Sequence, residues 1–184
     1  PKIKKMGYKG VESTELVYDG YKCPAENILG GEEAGLNKGF GQMMDALEVG
    51  RVNVAARGVG IAQRALELAL RYSQERKTFG TPIAQHQAIQ FKLADMATKL
   101  EAARLVTRKA ARMKDAGIRS DLEAGMAKLI ASETGKEVVE DCFRIHGGYG
   151  YSKEYEIERL YRDAPLLLIG EGTSEIQRMV IGKK

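Results

Sequence analysis

The 184-residue sequence has few of the side chains from which metal and redox sites are built. It contains two cysteines, Cys23 and Cys142, and two histidines, and these do not stand at the spacings of metal-ligand motifs. Two cysteines so far apart in the sequence favour free thiols in a reducing compartment. We therefore expect no metal site.

Long apolar runs and a predominance of one charge are also missing. No run approaches the roughly 18 apolar residues that a membrane-spanning helix needs. The net charge is +4, with basic and acidic residues interspersed, so neither a membrane nor a nucleic acid is expected as a partner. The basic start PKIKKMGYKG precedes no apolar segment and is not a signal peptide, and Pro1 in place of Met suggests an excised piece.

Apolar residues at helical spacing dominate the sequence from Leu36 onward. Breaks in this pattern predict five helices, over residues 36–72, 82–117, 120–146, 153–163 and 174–184. Three long helices joined by short loops pack as antiparallel neighbours, and a shorter fourth completes a bundle. The predicted fold class is therefore mainly α, an antiparallel four-helix bundle, with alanine pairs at 55–56, 102–103 and 110–111 that allow close helix packing.

Short local signals predict where these helices begin and end. Thr81 is the predicted N-cap of the second long helix, with Pro82 as its first residue. Ser120 and Ser174 each stand three residues before a Glu or Gln, which is the spacing of a capping box. The fourth helix is predicted to end before Pro165.

Residues 1–31 differ from the rest of the sequence. They are β-leaning and are broken by Asp19-Gly20, Pro24 and Gly30-Gly31, which predicts one or two strands with a turn. That is too little to form a sheet, so the partner strands are expected in sequence before Pro1. The predicted division is an incomplete β segment over residues 1–31 and a helical domain over residues 32–184.

The segment LLLIGEGTSEIQRMV, residues 166–180, contains the strongest candidate for chemistry. It places Glu171 between two glycines, after an apolar run and just before a predicted helix start. Glycines let a ligand approach the main chain closely, and the N–H groups of a helix start attract anions and acceptors. A carboxylate held there can act on a bound molecule, and the alternative is a solvated loop acid.

Three other groups have both a functional and a structural interpretation. Arg76 and Lys77 could clamp a pyrophosphate, or they could complement the negative end of a helix. The glycines at 147–148 indicate a backbone close to a ligand, or an extended C-cap turn. Glu48 and Arg51, three residues apart on one helix face, indicate by themselves only a surface ion pair.

Three long stretches carry a more specific signal when they are taken together and in order. They are GRVNVAARGVGIAQRALELALRYSQERKTFG, PIAQHQAIQFKLADMATKLEAARL and RIHGGYGYSKEYEIERLYRDAPLLLIGEGTSEIQRMVIG. Together they resemble the acyl-CoA dehydrogenase family, and the resemblance extends over nearly the whole chain. By this resemblance residues 1–31 are the tail of the family's middle β-domain, and residues 32–184 are its C-terminal helical domain.

The resemblance implies a flavoenzyme that uses FAD and an acyl-CoA thioester. Glu171 matches the family's catalytic base, which removes a proton from the carbon next to the thioester carbonyl while a hydride leaves the β-carbon for the flavin. The product is a trans-2-enoyl-CoA, and the electrons pass to an electron-transferring flavoprotein. Such a base needs a dry site that raises its pKa, which the apolar run at 166–169 could help to supply.

The resemblance also implies binding residues, and a homo-oligomer, either tetramer or dimer. The substrate-side matches are Glu48, Arg51 and Gly172. The FAD matches are Arg76, Phe79, Gln87, Arg144, Gly147, Gly148, Thr173 and Ser174, and the first three of these reach the flavin of a neighbouring subunit in the family.

Three positions depart from common patterns of the family. Gly50 stands where some members carry the base on the first long helix, which leaves Glu171 as the candidate that matches. Arg144 replaces a common Gln among the FAD contacts. Gly170 replaces a common Tyr beside the base, which leaves the acyl-chain preference open.

Alternative functions follow from the same sequence. An acyl-CoA oxidase would reoxidise its flavin with oxygen, and a non-catalytic relative would hold flavin and bind nucleic acid or a partner. A plain helical oligomerisation module would need no glycine-framed carboxylate. The expected compartment is the bacterial cytoplasm, with the mitochondrial matrix as the alternative.

Overall fold

The computed structural model describes residues 2–183, and its first 30 residues contain little regular structure. Lys2 and Thr14 form an isolated antiparallel bridge, and Ala25–Asn27 form a 3-10 helix. The one or two strands predicted for this segment do not form over residues 2–31. Strands need neighbours to pair with, and the described chain offers this segment none beyond the single bridge.

Helices account for most of the remaining chain. They are α1 (Gly31–Gly35), α2 (Gly39–Glu75), α3 (Gln87–Asp115), α4 (Asp121–His146), α5 (Ile157–Ile169) and α6 (Ser174–Gly182). A hairpin of β1 (Lys77–Thr78) and β2 (Thr81–Pro82) lies between α2 and α3, and 3-10 helices form over Ile83–Gln85 and Gly147–Tyr151. The predicted mainly α architecture is confirmed, and the short α1 was not predicted.

Helix α2 is 37 residues long and begins and ends three residues later than predicted. Its middle and last thirds bury a stripe of small apolar residues: Ala55, Ala62, Ala65 and Ala69. Its first third does not, because Phe40 and Met43 are 74% and 52% exposed. The apolar stripe at the start of α2 therefore has no partner within residues 2–183.

The start of α3 was predicted wrongly. Thr81 and Pro82 pair with β1 instead of opening the helix, and α3 begins only at Gln87 after a 3-10 turn. Positive φ angles of 52° at Phe79 and 83° at Gly80 turn the chain back on itself. Proline is tolerated at a strand edge as well as at a helix start, so the Thr-Pro pair did not distinguish the two structures.

The long helices form an up-down-up-down bundle. Ion pairs Lys99–Glu137 and Lys109–Glu123 show that α3 runs antiparallel to α4. Helix α5 returns along α2 and α4, with the Arg64 guanidinium 2.6 Å from Glu156 just before its start. The predicted antiparallel order of neighbouring helices is therefore confirmed.

Helices α2 and α4 cross at a point where both lack large side chains. A Cβ atom on Gly58 would lie 2.5 Å from the carbonyl oxygen of Ala131, and one on Gly135 would lie 3.2 Å from the carbonyl oxygen of Gly58. Ala55, Ala103 and Ala110, members of the predicted close-packing pairs, are fully buried near this crossing.

Helix α5 passes through Pro165, before which it was predicted to end. Pro165 is its ninth residue, and the helix continues to Ile169. Proline inside a helix removes one backbone hydrogen bond. Burial of Ala164 and Leu167 against the bundle on either side of Pro165 offsets that loss.

Candidate active site

The turn that carries Glu171 is tightly constrained by its own backbone. It joins α5 to α6 through four residues, and φ is 55° at Glu171 and 92° at Gly172. A positive φ is uncommon for any residue other than glycine and costs free energy. Gln177, which is fully buried, stabilises this turn because its Nε2 donates to the carbonyl oxygens of Glu171 and Gly172, each at 3.1 Å.

The start of α6 was predicted correctly, but its cap was not. Thr173 is the N-cap, and its Oγ1 accepts from the backbone N–H of Ile176 at 3.4 Å. The Ser174 hydroxyl instead donates to Glu133 Oε1 at 2.6 Å, which fixes α6 to α4. Both residues are predicted FAD contacts, and both lie beside Glu171 in the turn.

Gly50 of α2 faces the carboxylate of Glu171. A Cβ atom built on Gly50 would lie 2.7 Å from Oε2 and 2.9 Å from Cδ of Glu171. By the family resemblance, residues 50 and 171 are the two alternative positions of the catalytic base. The structure brings them to the same point, so a side chain on residue 50 would require the Glu171 carboxylate to move from its present position.

Glu48 is buried and bonded within the bundle. Its Oε1 accepts from the backbone N–H of Ser120 at 3.1 Å and from the Ser120 hydroxyl at 2.8 Å, and its Oε2 lies 3.6 Å from Lys114 Nζ. The capping box predicted at Ser120 is therefore wrong, because the Ser120 N–H and hydroxyl at the start of α4 both donate to Glu48 of α2. A role of Glu48 at the substrate stays a prediction.

Arg51 lies next to Gly50 and is 6% exposed. The surface ion pair with Glu48 does not form, since both side chains are buried and Glu48 bonds elsewhere. Within residues 2–183 the Nε of Arg51 has no hydrogen-bond partner. A buried guanidinium with an unpaired N–H beside Glu171 can bind an acceptor atom of a ligand.

Glu171 itself is exposed in this chain. The apolar run before it does not enclose it, because Leu166 and Ile169 are 38% and 62% exposed, and only Leu167 is turned into the core. The dry surround that the sequence predicted is therefore not built by this run alone.

A second group of predicted residues meets at the far end of α2. Arg76, Gly147 and Gly148 line a cavity of about 650 Å³ together with Tyr72, Thr78, Ile83, His86, Ile89, Ile145, His146 and Tyr149. The Arg76 guanidinium lies 5.5 Å from the centre of the Tyr149 ring, within the range of a cation–π contact. We call this cavity the Arg76 pocket.

Three predicted FAD residues lie at the rim of the Arg76 pocket or outside it. Phe79 is 97% exposed at the hairpin tip, and its ring meets His86 edge to face at 6.4 Å. Gln87 is exposed at the first residue of α3. Arg144 is exposed and pairs with Glu140 at 2.9 Å.

The two groups of residues are too far apart to meet one ligand in one chain. Glu171 lies against Gly50, and Arg76 follows the last residue of α2. A helix rises about 1.5 Å per residue, so these points are roughly 38 Å apart. Ligand pockets of about 300–1,000 Å³ measure on the order of 10 Å across. The chain therefore contributes to two separate sites.

Sequence reasoning missed several residues around Glu171. Gln177 was assigned to a capping box, and Glu133 was not noticed. Lys128 of α4 was also missed, although it is fully buried and its Nζ donates to the carbonyl oxygen of Leu168 at 3.0 Å. A usable signal existed, because Lys128 shares its helical stripe with the buried Ala124 and Ala131.

Residues 2–183 contain neither a cluster of metal ligands nor a candidate membrane-spanning helix. No three His, Cys, Asp or Glu side chains stand together as a metal site. None of the helices in this part of the chain combines the length and apolar character that a membrane crossing requires.

Comparison with known proteins finds relatives that match nearly the whole of this chain. The chain is 50% identical over 177 residues to the 3-(aryl)acrylate reductase of Clostridium sporogenes, covering 96% of this chain and 46% of that protein. It is 49% identical over 177 residues to the caffeyl-CoA reductase-Etf complex subunit CarC of Acetobacterium woodii, with the same two shares. The chain thus spans about half the length of the curated relatives it matches.

The structural comparison agrees with the sequence comparison. The fold superposes on butyryl-CoA dehydrogenase from Megasphaera elsdenii with a TM-score of 0.94 and 44% identity, covering 100% of this chain and 47% of that one. Residues 37–184 match the family model described as the C-terminal domain of acyl-CoA dehydrogenase. The chain therefore belongs to the acyl-CoA dehydrogenase family.

Proposed function

We propose that this chain supplies the catalytic base and part of the flavin site of an FAD-dependent acyl-CoA dehydrogenase, with Glu171 as the base. The observation that carries the proposal is the Glu171 carboxylate, held on a braced turn against Gly50, a position where α2 has no side chain. A base must be fixed within hydrogen-bond reach of the proton it removes. The braced turn supports that role over a solvated loop acid.

The proposed reaction divides the work between the chain and its cofactor. Glu171 takes the proton from the α-carbon of the thioester, and Oε2 is the atom nearest Gly50. Arg51, buried beside it with a free N–H, binds and orients the substrate from α2. Bound FAD would supply the acceptor for the hydride that leaves the β-carbon, which gives a trans-2-enoyl-CoA.

The Arg76 pocket fits a nucleotide with a pyrophosphate. Arg76 offers a planar cation suited to phosphate oxygens, and Tyr149 and His86 offer rings for stacking. No atom lies within 4 Å of a Cβ built on Gly147 or Gly148, so the backbone there is open to close approach. We assign Arg76, Gly147 and Gly148 to FAD, with Phe79, Gln87 and Arg144 as outer contacts.

The relatives bear on the direction of the reaction and on the partner. Two of them are named as reductases, and one of these is a subunit of a complex with Etf. We therefore propose an electron-transferring flavoprotein as the electron partner, and a reaction that can run towards the saturated thioester.

The test uses the full-length protein that contains this chain, purified with FAD, and its Glu171→Gln variant. Flavin absorbance is followed without oxygen after addition of butyryl-CoA, octanoyl-CoA or 3-phenylpropionyl-CoA. The native protein is expected to bleach with at least one thioester, and the variant should keep its flavin yet bleach about 100-fold more slowly or less. Oxygen is then admitted, because rapid reoxidation would favour an oxidase.

Each remaining outcome contradicts a defined part of the proposal. Bleaching that survives in Glu171→Gln would assign the base elsewhere. A native protein that keeps its flavin but bleaches with no thioester would indicate a non-catalytic relative.

A further inference from the structure

Lys128 is a charged side chain buried inside the helical bundle, which is energetically unfavourable. It lies in the middle of α4 and has no exposed surface, and burial lowers the pKa of its ammonium group. Removing an ammonium ion from water is unfavourable even after the protein relaxes. A methionine of similar volume would fill the same space without that cost, so core packing alone does not explain a lysine here.

The partner of Lys128 is the backbone that leads to Glu171. Its Nζ donates to the carbonyl oxygen of Leu168 at 3.0 Å, in the last turn of α5. The last four carbonyls of a helix have no partner within the helix, and they carry its partial negative charge. A cation is therefore well matched to this carbonyl, three residues before Glu171.

The turn after Leu168 is held from its other side as well. Gln177 of α6 donates to the carbonyls of Glu171 and Gly172, and Ser174 donates to Glu133. Lys128 and Glu133 both belong to α4, so one rigid helix fixes the chain before and after the turn. Before the turn, the Gly170 N–H also donates to the Leu166 carbonyl oxygen at 2.8 Å, and Lys128 adds a bond to this segment from a different helix.

We propose that Lys128 is a positioning residue for the catalytic base: its bond to Leu168 sets the placement of the Glu171 carboxylate against Gly50. This inference rests on the proposed function, because it concerns the same carboxylate. It assigns Lys128 no contact with substrate or flavin. A displacement of about 1 Å at a reacting group can lower a rate by 10²-fold, so a bond three residues away is close enough to matter.

The test uses the full-length flavoprotein with Lys128→Met and Lys128→Arg. Lys109→Met is the control, because Lys109 is an exposed lysine with a 3.6 Å ion pair to Glu123. Flavin reduction per bound flavin is measured as a function of butyryl-CoA, octanoyl-CoA and 3-phenylpropionyl-CoA concentration. Amide hydrogen exchange is measured over residues 166–173.

Lys128→Met is expected to bind thioester within about twofold of the native protein but to reduce its flavin about 10- to 100-fold more slowly. Exchange should accelerate over residues 166–173 and stay unchanged in α4. Lys128→Arg should be faster than Lys128→Met, because a guanidinium still donates to the Leu168 carbonyl. A residue that only fills the core predicts the opposite order, since arginine is larger and charged.

Three results would overturn the proposal. They are reduction by Lys128→Met within about twofold of native, a Lys128→Arg variant slower than Lys128→Met, and failure of both variants to fold with flavin, which would make Lys128 a determinant of folding. Glu171→Gln, run in parallel, separates this proposal from the proposed function. If Glu171→Gln still bleaches, the assignment of the base fails whatever the Lys128 variants do.

Discussion

Gly50 and Glu171 illustrate how a missing side chain can place a functional one. Gly50 lies inside α2, where glycine is about 1 kcal/mol less favourable than alanine. A Cβ there would come within 2.7 Å of Glu171 Oε2, so the carboxylate occupies space that only glycine leaves open.

Gly50→Ala should therefore separate stability from activity. The variant is expected to gain roughly 0.5–1 kcal/mol of helix stability, because the Glu171 side chain can move away from the new methyl group. It should also displace the carboxylate and lower flavin reduction about 10- to 100-fold. Gly60→Ala is the matched control, because Gly60 of α2 is exposed with nothing within 4 Å of its Cβ position. Equal reduction rates in both variants would show that the contact does not constrain Glu171.

His146 is the residue at which the bundle should respond to pH. Its ring stacks on Tyr72 with centroids 4.2 Å apart, and Nδ1 lies 2.8 Å from the Cys142 carbonyl oxygen. Burial lowers the pKa of His146 below 6.5, and the bond to Cys142 only partly opposes this. The folded chain therefore binds a proton here less readily than the unfolded chain does.

The sign of the pH effect follows from that difference. Where the unfolded state binds more protons, the free energy of unfolding rises with pH. Unfolding of this chain by urea is expected to become easier as the pH falls from about 7.5 to 5.5, by at most about 1.4 kcal/mol per pH unit from this histidine. His146→Gln should flatten the dependence. Identical slopes in both proteins would contradict the account.

Among the elements, α2 and α4 depend most on small residues. Their crossing at Gly58, Ala131 and Gly135 brings the two backbones into contact. Both candidate sites use residues of these two helices or of the segments that follow them, so this contact helps to fix their positions. Interiors are packed at crystal-like density, so an added methyl group there must move a helix.

Gly58→Ala should destabilise the chain by about 1–3 kcal/mol in urea or thermal unfolding, against the direction of helix propensity. Its Cβ would lie 2.5 Å from the Ala131 carbonyl oxygen, which is backbone and cannot rotate away. Gly60→Ala, two residues along the same helix, should stabilise by about 0.5–1 kcal/mol. Equal effects of the two changes would show that the crossing is not tightly packed.

The helices could be predicted from sequence where periodicity and breakers agreed. Helix α6 begins at the predicted Ser174, and α4 ends at the predicted glycines. The prediction was wrong where one residue type suits two structures. Thr81 and Pro82 fit either a helix start or a strand edge, and here they form a strand. A proline usually ends a helix, but α5 continues past Pro165 because residues on both sides of it are buried against the bundle.

The candidate site was only partly readable from sequence. Glu171 stood out because two glycines and a helix start surround it. The residues that brace its turn did not, because Lys128 and Gln177 act across the bundle through contacts that no local pattern records. The same helix shows this limit a second time, since the apolar Met126 is 40% exposed while the charged Lys128 is buried.

At the scale of the whole molecule, the two sites lie far apart along α2, one at Gly50 in its first third and the other at its C-terminal end. The Arg76 pocket and Glu171 are roughly 38 Å apart at about 1.5 Å rise per residue. One flavin cannot touch both in one copy of the chain. If both sites serve the same reaction, two copies must combine so that Arg76 of one lies near Glu171 of the other, as the predicted homo-oligomer would allow.

Mixing of inactive variants tests that arrangement. Full-length Glu171→Gln and Arg76→Ala proteins are co-expressed, and each is also prepared alone as a control. In a mixed dimer one site receives both changes and the other receives neither, so random assembly should restore about a quarter of native activity. Recovery no greater than the sum of the separate variants would show that each copy completes its own site.

The most direct measurement is proton exchange at the substrate α-carbon. Full-length protein with bound FAD is incubated without oxygen in D₂O with whichever of butyryl-CoA, octanoyl-CoA and 3-phenylpropionyl-CoA bleaches its flavin, and deuterium at the α-carbon is followed by NMR. The native protein is expected to introduce deuterium, and Glu171→Gln, with flavin and thioester still bound, should do so about 100-fold more slowly or less. Exchange at the native rate in Glu171→Gln would contradict the central claim that Glu171 is the base.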